Sequence, residues 1–162
     1  MNIALVAHDG RKQEMLEWVR YNAELLCSHN LIATGTTGSL IREALMGMDS
    51  PSNFTFGERE MKNYYMQKVT CLLSGPLGGD QQIGALIAEG KIDMLIFFCD
   101  NLIVQGHQND VSALSRLASL YNIAFATNRT TADMLLTSPL LNDKEYRRII
   151  PECIEKYANR SL

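Results

Sequence analysis

Residues 74–82 read SGPLGGDQQ, and three glycines and one proline fall within 75–79. Such a run sustains neither a helix nor a ladder, so the chain must turn there with its amides exposed. A helical pattern follows, and amides at a helix start bind anions. Asp80 stands at that same start, where a carboxylate is either a cap or a general base. A second turn, Gly35-Thr36-Thr37-Gly38, brings two hydroxyls and further amides to another helix start, a composition suited to a small phosphate. Lys12 opens a third helical pattern. The helix dipole repels a cation there, so its placement makes more sense if a bound anion offsets it.

The other polar candidates are His8, Asp9, Asp100, His107 and Asp110. Singly, each has a plain structural explanation: a turn acid, a helix cap, a packed strand-end histidine or a solvated loop histidine. Together, four carboxylates and two histidines beside phosphate-type turns would make a strongly polar pocket, suited to acid–base chemistry on a small anion. That requires the elements to bring them to one place.

The elements alternate. Residues 3–7 are a short apolar strand, and 12–27 carry Met15, Leu16, Val19, Ala23 and Leu26 at helical spacing. A second strand at 31–34 leads to the Gly-Thr-Thr turn, after which Ser39 caps a helix to Met46. The rhythm lapses over 47–67, read as a peripheral insertion with a short helix within 57–66. It resumes with a strand at 68–73, the glycine turn, a helix over 81–89 ended by Gly90, and the nearly all-apolar strand 92–98, expected at the sheet centre. A polar loop, 101–109, leads to a helix capped by Asp110 and bearing Val111, Leu114, Leu117, Ala118 and Tyr121. A fifth strand at 123–126, a helix over 131–136 and a last helix started by Pro151 complete the chain.

Five strands alternating with helices predict one three-layer α/β domain over 1–162, with a five-stranded, mostly parallel, Rossmann- or flavodoxin-like sheet. Right-handed crossovers send every strand's C-terminal end to one edge, where such folds bind ligands. His8-Asp9, Gly35–Thr37, Ser74–Asp80, Asp100 with its loop, and 127–131 all fall on that edge.

Composition narrows the partners. The 162 residues carry 15 Lys and Arg against 18 Asp and Glu, a net charge of −3, and the cations are scattered, which argues against nucleic acid. No apolar run approaches membrane-spanning length. Met1-Asn2 runs into the first strand without a charged leader, so no secretory signal is expected and a cytoplasmic location is. The four cysteines form no CxxC pair and no zinc spacing with the three histidines, so free thiols are expected and a metal site is not. No GxxxxGK[ST] or GxGxxG motif is present.

IALVAHD at 3–9 with Lys12, ATGTTG at 33–38, SGPLGGDQQ at 74–82, the strand ending at Asp100, and Asn128 with Thr130-Thr131-Ala132-Asp133 together resemble the methylglyoxal synthase family. The similarity spans nearly the whole chain except 47–68, and the pairing of ATGTTG with SGPLGGDQQ is highly specific. The resemblance implies conversion of dihydroxyacetone phosphate to methylglyoxal and inorganic phosphate, without metal or organic cofactor, in a homohexamer often inhibited by phosphate. It places the catalytic base on Asp80, a proton-relaying histidine on His107 and supporting acids on Asp9, Asp100 and Asp110. It puts substrate contacts on His8, Lys12, Thr34, Thr36, Thr37, Ser74 and Gly75, and a residue that reaches a neighbouring subunit's site on Arg160.

Two departures stand out. The family's usual Pro-His-Asp-Pro-Asp is here Gly106-His107-Gln108-Asn109-Asp110, which keeps the His-to-Asp spacing and loses both prolines and one acid. The 47–68 segment is extra where family members are compact. The competing reading is a non-catalytic effector-binding module of the same fold, disfavoured because Asp80 and His107 are both retained. A phospho-receiver domain fits only in part, for it needs an acid pair after the first strand, an aspartate ending the third and a lysine ending the fifth.

Overall fold

The computed structural model describes residues 1–48, 58–102, 108–143 and 145–160. Short apolar runs form β1 (Asn2–Ala7), β2 (Asn30–Ala33), β3 (Val69–Cys71), β4 (Met94–Phe98) and β5 (Ala124–Ala126). They pair in the order β3-β2-β1-β4-β5, and every pairing is parallel. This is the strand order of the doubly wound Rossmann type rather than the flavodoxin order.

Parallel strands need crossovers, and the crossovers are helical: α1 (Lys12–Tyr21), α2 (Ala23–Leu26), α3 (Gly35–Met46), α4 (Glu58–Lys68), α5 (Gly79–Ala88) and α6 (Gln108–Leu120), while α7 (Arg129–Leu136) and α8 (Glu152–Ala158) follow the last strand. Strand side chains alternate between two cores. Ile3, Leu5, Ile96 and Phe98 pack with Trp18, Ile41 and Leu45 on one face. Ala4, Val6, Leu95 and Phe97 pack with Ile83 and Ile87 of α5 and Leu114 and Ala118 of α6 on the other. β4 is buried at all five positions, which accounts for its unbroken apolar sequence.

Several boundaries differ from expectation, each for a local reason. The first helix breaks at Asn22, whose side chain donates to the Trp18 carbonyl at 3.0 Å instead of pointing to solvent. Ser39 does not cap α3. It lies inside the helix with Oγ donating to the Gly35 carbonyl at 3.1 Å, and the helix starts five residues earlier than expected, at Gly35. The third strand is only three residues long, because the chain leaves the sheet after Cys71 to meet the start of α3. Within the supposed insertion, α4 is a full helix running into β3. Its Tyr65 is 1% exposed and its Tyr64 hydroxyl donates to the Cys27 carbonyl at 2.7 Å, tying it to the end of α2. α6 begins at Gln108, so the Asp110 backbone lies inside its first turn rather than ahead of it. Asn128 caps α7 by accepting from the Thr131 amide at 3.0 Å.

The topology reverses between β1 and β4. From β1 the chain builds outward to β2 and β3, then crosses back to add β4 and β5 on β1's other side. The two connections at that reversal diverge, and their divergence opens a crevice beyond the C-terminal ends of β1 and β4.

Candidate active site

The residues at the crevice follow from where these two strands end. His8 leaves β1 with its amide donating to the Phe98 carbonyl of β4 at 3.2 Å. Asp100 leaves β4 with its amide donating to His8 Nδ1 at 2.8 Å, so the crevice is bridged at its root. The His8 ring lies edge-on to Phe97 at 5.1 Å, and its Nε2 is buried with no hydrogen-bond partner among the described residues. The Asp100 carboxylate packs on the bare Cα of Gly10, where a Cβ would come within 2.7 Å of Oδ2, and Oδ1 accepts from the Leu102 amide. Lys12, the first residue of α1, is half-buried and donates to Asp9, itself exposed.

A second group of residues comes from β2 and β3. Thr34, extended and 5% exposed, precedes α3, and no side chain caps that helix. Thr37 is buried at 2% exposure and Thr36 faces solvent. The amides of the first turn therefore have no capping side chain, the condition under which a helix start receives an anion. Gly35 donates to the Leu73 carbonyl at 2.9 Å, and a Cβ on it would come within 2.9 Å of the Ser74 nitrogen, so the two glycine turns are docked backbone to backbone.

The SGPLGGDQQ turn is a 3-10 segment, Gly75–Leu77, followed directly by α5. Its glycines have distinct reasons. Gly78 takes a left-handed φ of 98°, and Gly79 sits where a Cβ would lie 1.9 Å from the Leu73 carbonyl oxygen. Gly75 has no described residue within 4 Å of its Cβ position, so packing among the described residues leaves the space over its backbone open. Gln82 accepts from the Leu73 amide at 2.8 Å and closes the turn. Asp80, in the first turn of α5, is 8% exposed, and Oδ2 accepts from the Gln81 amide group at 2.8 Å.

The structure thus brings His8 and Asp100 into direct contact, pairs Asp9 with Lys12, and docks the Thr34–Thr37 turn on Ser74, with Asp80 following in the same turn. His107 lies outside the described residues, as does the side chain of Asp110, whose backbone is in α6. Arg160 follows α8 with its guanidinium 3.8 Å above the Tyr157 ring, and no contact among the described residues joins it to this rim.

Other residues at the site escaped the sequence reading. Cys99 lines the wall beside Asp100; burial pushes its thiol up to about 11 against the opposing pull of Arg11, and its Sγ donates to the Phe97 carbonyl. A thiol held protonated is packing, not a nucleophile. Asp133, in the TTAD stretch, accepts from the Trp18 indole at 2.7 Å and so joins α7 to α1. A fully buried tryptophan needs an acceptor, and that need was the available signal. Among the described residues no group of three or more His, Cys, Asp or Glu could hold a metal ion.

Comparison with known proteins fits this geometry. A family model described as MGS-like domain matches residues 14–127. The methylglyoxal synthase of Pseudoalteromonas atlantica is 50% identical over 150 residues, 93% of this chain and 96% of the relative. That of Maridesulfovibrio salexigens is 48% identical over 147 residues, 91% of this chain and 89% of the relative. The crystal structure of methylglyoxal synthase from Elizabethkingia anophelis NUHP1 superposes with a TM-score of 0.79 at 41% identity, covering 99% of this chain and 91% of that one.

Proposed function

The chain belongs to the methylglyoxal synthase family, and on that premise we propose that it converts dihydroxyacetone phosphate to methylglyoxal and inorganic phosphate at the β1–β4 crevice. The observation that carries this reading is the docking of two amide-bearing turns, Thr34–Thr37 and Ser74-Gly75, with a buried carboxylate, Asp80, just beyond them.

The substrate is a carbon acid beside a ketone. Asp80 removes the proton, while a donor at the carbonyl oxygen stabilises the enediolate that develops. Water blunts a carboxylate's basicity, so the burial of Asp80 favours its role as base. His8 is set up as a donor: its Nδ1 is already an acceptor, so the neutral ring carries its proton on the buried Nε2. We assign the relay of protons between the substrate oxygens to His107 and support of that relay to Asp110. Asp100 orients His8, and Asp9 orients Lys12.

Elimination then follows from torsion. The enediol's π electrons expel phosphate only when the bridging C–O bond stands perpendicular to the enediol plane. Lys12, the hydroxyls of Thr34, Thr36 and Thr37, Ser74 and the open backbone of Gly75 would grip the phosphate and hold that torsion. An isomerase acting on the same substrate must hold the bond in the plane, so the phosphate grip separates the two outcomes.

We further infer a cytoplasmic homohexamer inhibited by phosphate, with Arg160 completing a neighbour's site. The C-terminal arm supports the assembly, since Ile149 and Tyr157 are 77% and 65% exposed and their burial against a second copy would be favourable. The deciding experiment incubates purified protein with dihydroxyacetone phosphate and a chelator and follows methylglyoxal and phosphate. Stoichiometric release of both is expected; a folded protein that binds phosphate without turnover would instead be the effector-binding module.

A further inference from the structure

At the sheet edge opposite the crevice there is a second cavity, of about 440 Å³. Met94 and Ala124, the first residues of β4 and β5, form its floor, and Leu135 and Leu141 a wall. The chain beyond residue 145 crosses in front of it and is fastened at two points. Asn122 Nδ2 donates to the Ile149 carbonyl at 2.9 Å, and an Arg148 Nη donates to the Ile92 carbonyl at 3.0 Å.

Among the described residues, the charged ones on the lining are Arg147, Arg148 and Asp93. Asp93 is committed, since its Oδ2 accepts from the Asn2 amide at 2.8 Å. Arg148 spends one Nη on the Ile92 carbonyl and its Nε is buried, but Arg147 and Arg148 still set two guanidinium groups on a largely apolar lining. A carboxylate is the acceptor that a guanidinium fork fits best. The volume falls within the range of small-ligand pockets, roughly 300–1,000 Å³.

We propose that this cavity is a second ligand site that takes an amphipathic carboxylate, with its charged head on Arg148 and its hydrocarbon chain over Met94, Ala124 and Leu141. The site uses no residue of the crevice and stands whether or not the crevice is catalytic.

The test uses the full chain with octanoate and octanol as probes, read by methyl chemical shifts and calorimetry. Octanoate should bind saturably, shift the methyl signals of Met94, Leu135 and Leu141, and bind at least about tenfold more tightly than octanol. Arg148→Gln should weaken octanoate by roughly tenfold and leave octanol unchanged, whereas Ala124→Leu, which fills the floor and keeps the arginine, should weaken both. Three results overturn the proposal: equal affinity for octanol and octanoate, displacement of octanoate by inorganic phosphate with methyl shifts at Thr34 and Thr37, or no saturable binding because another copy covers the cavity. Should Arg148→Gln fail to fold, the two-probe comparison on the unaltered protein and the Ala124→Leu variant still decide the matter.

Discussion

The Asp100 amide and the His8 imidazole are joined across the two strands at which the sheet reverses, N–H to Nδ1 at 2.8 Å. That bond selects one tautomer and leaves Nε2–H as the donor facing outward from the pair. His8→Asn keeps an acceptor near Nδ1 and deletes the distal donor. Its thermal midpoint should stay close to the parent's, while turnover of dihydroxyacetone phosphate falls by about 10²–10³. Parental turnover in this variant would remove His8 from the chemistry.

Asp80→Asn preserves shape and removes basicity. Turnover should drop by roughly 10²–10⁴, with inorganic phosphate still bound, as read by calorimetric titration. Exchange of the substrate's carbon-bound proton with deuterated solvent should disappear along with turnover. If exchange persisted, another residue would have to be the base.

Gly75→Ala and Gly79→Ala separate function from folding within one turn. At Gly79 the new methyl would sit 1.9 Å from the Leu73 carbonyl oxygen, so backbone must move and stability should fall by about 1–3 kcal/mol or more. At Gly75 the methyl meets no described residue within 4 Å, so the unfolding free energy should change by no more than about 0.5 kcal/mol. Its KM and its phosphate dissociation constant should nevertheless rise, because the methyl occupies the space the phosphate needs. Equal stability losses in the two variants would contradict the geometry.

Asp133→Ala leaves the fully buried Trp18 indole without its 2.7 Å acceptor. The expected loss is about 1–3 kcal/mol of unfolding free energy in urea, while activity per folded molecule is unchanged. A large fall in kcat at full stability would relocate Asp133 to the reaction.

His29 is 5% exposed, and burial, then the N-terminal amine and Lys68, lowers its pKa below the usual 6.5. A histidine whose folded pKa is depressed must gain its proton on unfolding before it does so in the native state. Its contribution is therefore fully present above pH about 6.5 and is lost as pH falls through the lowered folded value. The Tm of the parent should decline through this window, and His29→Gln should decline less steeply from whatever midpoint it starts at. Parallel curves would show that His29 does not carry the effect.

The fold class was readable because short apolar runs and helical spacing alternate so regularly, and β4 announced itself as a doubly covered strand. The strand-end rim was readable too, since SGPLGGDQQ and ATGTTG contain residues that only turns tolerate. What could not be read was contact between distant backbones. Nothing local in Gly35 says that it abuts Ser74, and nothing in Ser39 distinguishes a cap from a back-bonded helix interior. The start of α3 was misplaced for that reason: Thr34 takes the extended conformation of a cap without capping. The helix α4 escapes a sequence reading because it packs on α3 and β3 chiefly through the buried Tyr65 rather than along a regular apolar stripe.

Five consecutive residue pairs, Ile3 with Met94 through Ala7 with Phe98, lock β1 to β4. A slip by one step would turn every side chain of a strand to the wrong core, so intermediate alignments are closed. The His8–Asp100 contact hangs from the end of that ladder and has no adjustable setting of its own. The contact is consequently digital: as denaturant is added, the molecule loses it only when it loses the sheet, and the His8 imidazole resonances and the secondary structure should change at one shared midpoint.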